Sequence, residues 1–192
     1  MSVGRGAQRK RVTLTATVDP PRIRPATPDD AQAIVDIYAD SAAERNATFD
    51  TEAPPVADVA RQIASPDHFF LVAETPEGEV LGWASVGPYS NTRAAYAGVG
   101  ECSIYVAPAA RSAGLGTRLT EETAAVAEQK GLFKLLGKLF TTNEPSRRLV
   151  RRCGFRDVGV HLCHGQLDGE WRDVLVVERL LGPAAAEQRR RG

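Results

Sequence analysis

The sequence predicts an α/β domain in which helices pack on a mixed sheet, and three observations carry that prediction. Strand-like and helix-like segments follow one another in the order β-α-α-β-β-β-α-β-α-β-β, which builds a layered α/β sandwich. The longest helical stretch, Gly114 to about Lys130, follows a strand directly and lines up Leu115, Leu119, Thr123, Val126 and Ala127 on one face. Two turn signals, Pro76-Glu77-Gly78 and Asp168-Gly169, join strand-like runs into antiparallel hairpins.

Each element has its own signal. Ile23-Arg24-Pro25-Ala26 reads as a short edge strand, because proline is tolerated where no neighbouring strand needs its amide. Thr27 is a good N-cap, Pro28 fits the first helical position, and Asp30 completes a capping-box-like pair ahead of Ala31, Ile34, Ile37 and Tyr38 at helical spacing. A second helix runs from about Val56 to Ala64, after Pro54-Pro55. Phe69 to Ala73 and Val80 to Val86 are the strands of the first hairpin. After an irregular stretch from Gly87 to Gly98, Val99 to Val106 is a strand that Pro108 ends. Gly131 stops the long helix. A strand from Leu132 to about Phe140 precedes a helix that opens at Pro145-Ser146 and ends before Gly154. Phe155 to Cys163 and Trp171 to Leu180 close the series.

The chain has 192 residues, 43% of them hydrophobic, which suits one domain with a real core, placed at 22–182. The flanking segments 1–21, with Arg5, Arg9, Lys10 and Arg11, and 183–192, with Arg189, Arg190 and Arg191, read as disordered, solvated tails. A formal net charge of zero gives no argument for nucleic acid as a partner. No apolar stretch approaches the roughly 20 residues that span a bilayer, and the N-terminus lacks the apolar middle of a secretory signal, so no membrane partner and a cytoplasmic location are expected. Cys102, Cys153 and Cys163 are an odd count without paired metal-type spacing, and they read as reduced thiols. His161 and His164, three apart in a predicted strand, fall on opposite faces, so no metal is expected. Trp83 and Trp171 read as packing residues, with Trp171 placed to help close a pocket.

The strongest local feature is the strand that passes Pro108 into Arg111-Ser112-Ala113-Gly114-Leu115-Gly116-Thr117 and straight into the long helix. Glycines let backbone amides approach an anion, and the helix N-terminus adds unpaired N–H groups and partial positive charge, so the turn suits phosphate oxygens. Arg111 and Thr117 add side-chain donors. Taken alone, Gly114 and Gly116 serve equally well as a tight strand-to-helix turn. A nucleoside-triphosphate loop is excluded because no lysine stands between Gly116 and Thr117, and a dinucleotide fingerprint because a single glycine pair lies past mid-chain.

Arg111-x-x-Gly114-x-Gly116 after a strand, then Asn143, then Gly154-Phe155 after a helix, resembles the GCN5-related N-acetyltransferase (GNAT) superfamily. Over about 22 to 180 the chain is similar to its phosphinothricin and arsinothricin N-acetyltransferases in six further motifs. These are Thr48-Phe49-x-Thr51-Glu52, Gly87-Pro88-Tyr89, Arg93-x-x-Tyr96, Glu101-x-x-Ile104-Tyr105-Val106, Asn143-x-Pro145-Ser146 and Gly169-x-Trp171-x-Asp173-Val174. The resemblance implies a mostly antiparallel central sheet with helices on both faces, acetyl-coenzyme A as co-substrate, a small amine or amino-acid acceptor, and a homodimer. It implies that Ile104, Tyr105 and Val106 offer backbone groups to the pantetheine arm, and that Arg111, Ser112, Ala113, Gly114, Leu115, Gly116 and Thr117 hold the pyrophosphate. Asn143 and Ser146 lie against the cofactor beyond it, while Asn143 also reads as a helix N-cap.

N-acetylation needs a neutral amine, and a carboxylate must take the ammonium's proton, directly or through water. The resemblance places that base at Glu101, in the otherwise apolar strand Val99 to Val106; without it, Glu101 reads as a solvent-facing strand residue. Arg93 is expected to hold the acceptor's carboxylate or oxyanion, with Phe49 and Tyr96 as pocket walls. Two positions depart from the pattern. Asn91 stands where the relatives have a second cation beside the acceptor, and Val150 stands where they have a tyrosine or histidine to protonate the leaving thiolate. Cys102 is not expected to be a nucleophile, since no histidine is near in sequence and its side chain points away from Glu101. A non-catalytic acyl-coenzyme A binding module and an acetyltransferase of other amines or protein N-termini are the alternatives.

Overall fold

The computed structural model describes residues 20–89 and 93–191. Asn91 and nearly all of the expected N-terminal tail lie outside the described residues. Seven strands form one sheet: β1 (Arg22–Pro25), β2 (Phe69–Glu74), β3 (Val80–Pro88), β4 (Val99–Val106), β5 (Lys134–Phe140), β6 (Arg156–Leu167) and β7 (Glu170–Leu180). Their spatial order is β1-β2-β3-β4-β5-β7-β6. Every neighbouring pair is antiparallel except β4 and β5. Proline-bearing β1 is an edge strand, as the sequence requires.

Helices α1 (Ala31–Ala43) and α2 (Val56–Ala64) cover one face of the sheet, while α3 (Leu115–Gln129) and α4 (Glu144–Arg152) cover the other. The alternation of strand side chains shows why both faces are filled. In β2, Phe70 and Val72 pack with Ile34, Ile37 and Val59 of α1 and α2, whereas Leu71 and Ala73 pack with Leu115 and Leu119 of α3. Helix α1 is entered through a short 3₁₀ turn at Pro28–Asp30, where the Asp30 carboxylate accepts the Thr27 amide at 2.7 Å. The long helix ends as its sequence says, with Leu132 N–H donating to Ala127 and Gly131 N–H to Glu128. Asp168 and Gly169 both have positive φ, at 52° and 82°, which fits the tight β6–β7 turn.

Three expectations are corrected. Of the expected disordered tail at 183–192, the described residues 183–191 are helical, for Gly182–Arg191 forms helix α5. Pro183 sits in its first turn, the Ala184-Ala185-Ala186 run favours helix, and Glu187 pairs with Arg190 and Arg191 one turn on. Trp171 is 60% exposed and packs in no core, unlike buried Trp83. The last hairpin also breaks its alternation: β6 slips register between His161 and Gly165, with Cys163 at φ 48°, so the His161 and His164 rings meet at 4.8 Å instead of facing apart. Among the described residues no helix is long and apolar enough to cross a membrane.

Candidate functional site

The site arises where the one parallel strand pair comes apart. β4 and β5 pair only from Val99 opposite Lys134 to Glu101 opposite Leu136. Beyond that point β4 continues on β3 as far as Val106, and β5 continues on β7 as far as Phe140. The β5-facing backbone edge of Cys102 to Val106 is therefore left without a strand partner, which a ligand carrying amides in a row can pair with. A cavity of about 300 Å³ opens beside the parting, lined by Tyr38, Phe49, Trp83, Glu101, Ser103, Tyr105, Lys138, Phe140 and His164 among others.

Strand periodicity sorts the side chains. Glu101, Ser103 and Tyr105 share the face toward α1, while Cys102, Ile104 and Val106 pack toward α3. Ile104 and Val106 thus spend their side chains on the core and keep only backbone groups for a ligand. Tyr105 stacks on Trp83 at 4.7 Å and lies 5.1 Å from the Tyr38 ring. Burial, with Tyr38 beside it, raises the Tyr105 hydroxyl well above the usual tyrosine range. Burial and the Asp50 carboxylate push Tyr38 up to about 12, so both phenols stay neutral near neutral pH. Tyr38 donates to Asp50 and shares a 2.8 Å hydrogen bond with Thr48 Oγ1, which fixes the loop that carries Phe49. Phe49 meets Phe140 edge to face at 4.8 Å and lines the cavity. Burial pushes the Cys102 thiol up to about 12, far from the thiolate that a covalent mechanism needs.

Glu101 lies on the cavity wall with its side chain 34% exposed, and Lys138 Nζ stands 2.9 Å from its Oε1. Lys138 was missed by the sequence reading. Its signal is close to the one that marks Glu101: a charge inside an apolar run, here Leu135-Leu136-Gly137-Lys138-Leu139-Phe140. It shares Glu101's face because Glu101 is in register with Leu136, two residues before it.

The turn after β4 has the shape its glycines imply. Ser112 and Gly114 both have positive φ, at 69° and 79°, and Gly114 caps α3 with its amides at the open end of the helix. Leu115 is buried, and a Cβ on Gly116 would sit 3.1 Å from Leu149 Cδ2, so α3 and α4 approach closely there. Arg111 has protein partners that its local sequence does not announce. Its guanidinium holds Glu44 at 2.7 and 2.8 Å and its Nε donates to the Val106 carbonyl at 3.0 Å, which ties the end of β4 to the end of α1. Asn143 is buried and caps α4: its Oδ1 accepts the Ser146 amide at 3.1 Å, and its Nδ2 donates to the Asn46 carbonyl at 2.8 Å. Val150 is buried in the core and offers no proton. Arg93 and Tyr96, at a 3₁₀ turn of Ala94–Tyr96, are exposed, and neither lines the cavity. Tyr96 instead meets Tyr89 edge to face at 6.2 Å. Among the described residues no cluster of three or more histidine, cysteine or carboxylate side chains is set to hold a metal ion.

Comparison with known proteins bears on this geometry. Residues 32–155 match the model of the acetyltransferase (GNAT) family. An L-methionine sulfoximine/L-methionine sulfone acetyltransferase of Pseudomonas aeruginosa is 35% identical over 144 residues, covering 73% of this chain and 75% of that protein. The solved structure of a GNAT superfamily phosphinothricin acetyltransferase from Sinorhizobium meliloti, in complex with acetyl-coenzyme A, has a TM-score of 0.80 at 27% identity, covering 88% and 92% of the two chains. A ribosomal-protein-alanine N-acetyltransferase from Brucella melitensis has a TM-score of 0.77 at 30% identity, covering 83% and 99%.

Proposed function

The chain belongs to the acetyltransferase (GNAT) family, and on that premise we propose that it moves an acetyl group from acetyl-coenzyme A to the amino group of a small amino-acid-like acceptor, with Glu101 as general base. The observation that carries this reading is the parting of β4 and β5 at Glu101, beside the anion-binding turn of Ser112 to Thr117. Acetyl-coenzyme A supplies the activated acetyl thioester. The free edge of Cys102 to Val106 pairs with its pantetheine amides, the α3 N-terminus takes its pyrophosphate, and Ser146 and the Asn143 cap border it further on. Glu101 accepts the proton of the acceptor's ammonium, directly or through water. The freed amine forms the C–N bond to the acetyl carbon, the C–S bond breaks, and the second proton of the nitrogen passes to the departing thiolate through water, giving the amide and the free thiol. Val150 provides no acid, and a thiol with a pKa of about 8.5 is a leaving group that needs none.

Burial of the Cys102 thiol favours direct transfer over an acetyl-cysteine intermediate. Phe49 walls the acceptor site. The reading includes a homodimer, for which the exposed Val158, Val160 and Leu162 of edge strand β6 form apolar surface. A thiol-release assay with acetyl-coenzyme A across phosphinothricin, arsinothricin, methionine sulfoximine and ordinary amino acids tests the function. Release that depends on one of these acceptors is expected, and release with none of them contradicts the reading.

A further inference from the structure

The cavity wall carries a charge pair that the acetyl transfer itself does not require. Glu101 Oε1 and Lys138 Nζ are 2.9 Å apart, and their side chains are 34% and 50% exposed. Both line the cavity, and among the described residues Lys138 is its one lysine or arginine. An ion pair this open to water is weak, so an incoming ligand opens it readily. The pair is also the charge complement of an α-amino acid, whose ammonium and carboxylate hang on a single carbon and so lie about as close together as these two side-chain groups. An acceptor that sets its ammonium against Glu101 brings its carboxylate to Lys138. The Glu101 oxygen released by Lys138 is then free for the proton of the attacking nitrogen.

We propose that Lys138 is the specificity residue for the acceptor: its ammonium binds the acceptor's α-carboxylate and selects free α-amino acids over simple amines and over peptide N-termini, which lack a carboxylate on that carbon. This rests on the N-acetyltransferase reading above. It also supplies a cation for the acceptor in a site where Asn91 replaces an expected one and Arg93 does not line the cavity.

The test compares phosphinothricin and L-methionine sulfoximine with the carboxamide of each, and with a short peptide beginning in alanine, using thiol release from acetyl-coenzyme A. Wild-type protein is expected to favour the free acids about tenfold or more in kcat/KM, the effect of one hydrogen bond between charged groups. Lys138→Met is expected to raise KM for the acids about tenfold more than for the carboxamides, and Lys138→Arg is expected to restore most of that difference. Equal loss on acids and carboxamides, no loss at all, or wild-type acetylation of the peptide as efficient as that of the free acids overturns the assignment. Absence of acceptor-dependent thiol release by wild-type protein with every compound tried overturns the acetyltransferase reading itself, and the assignment falls with it.

Discussion

At the scale of single residues, the site depends on which face of a strand a side chain takes. Glu101 and Cys102 are adjacent in β4, yet one faces the cavity with a lysine beside it while the other packs toward α3 with its thiol pushed up to about 12 by burial. Iodoacetamide at pH 8 is therefore expected to label exposed Cys163 within minutes and to leave Cys102 and buried Cys153 largely unmodified, as peptide mass spectrometry will report. Fast labelling of Cys102, or an acetyl group on it after incubation with acetyl-coenzyme A, contradicts direct transfer. Glu101 was singled out in the sequence because a family pattern stood over it, and its place on the cavity wall is what the structure adds. Lys138 was not, although its setting in β5 is the same kind, because its meaning depends on the register between two strands far apart in the chain.

Among the elements, the helix caps link fold to site. Asn143 uses both ends of its amide, one on the first turn of α4 and one on the Asn46 carbonyl of the loop that leads to Phe49. Asn143→Ala is expected to cost about 1–2 kcal/mol, seen as a melting temperature lower by about 2–6 °C, and to weaken acetyl-coenzyme A binding in calorimetry. An unchanged melting temperature contradicts the cap. Most elements were readable from local signals: proline at Pro25 and Pro28, the stop at Gly131, the turn at Asp168-Gly169. The failures have physical causes. The bulge at Leu162 to His164 cancels the period-two rule that set His161 and His164 apart, and no local signal announces it. Helix α5 was hidden because its arginines read as a solvated tail, whereas paired with Glu187 one turn away they support a helix. The pairing of Arg111 with Glu44 was hidden because the two lie 67 residues apart in sequence.

For the whole molecule, two layers of helix enclose a sheet whose only parallel junction opens into the cavity, and the far edge of that sheet is left apolar. Val158, Val160 and Leu162 on β6 are 51%, 47% and 75% exposed, a row that a solvated edge strand normally replaces with charge. Sedimentation velocity at micromolar concentration is expected to give a dimer, and Leu162→Lys with Val160→Lys is expected to give a monomer. A monomeric wild-type protein contradicts this use of the edge. The fold's central claim is that the parting of β4 and β5 exists to hold an acetyl donor next to Glu101. Glu101→Gln keeps the shape and removes the proton acceptor, so turnover in the thiol-release assay is expected to fall about 10²–10⁴-fold, with the affinity for acetyl-coenzyme A in calorimetry unchanged. Turnover within a factor of two of wild type would contradict the account.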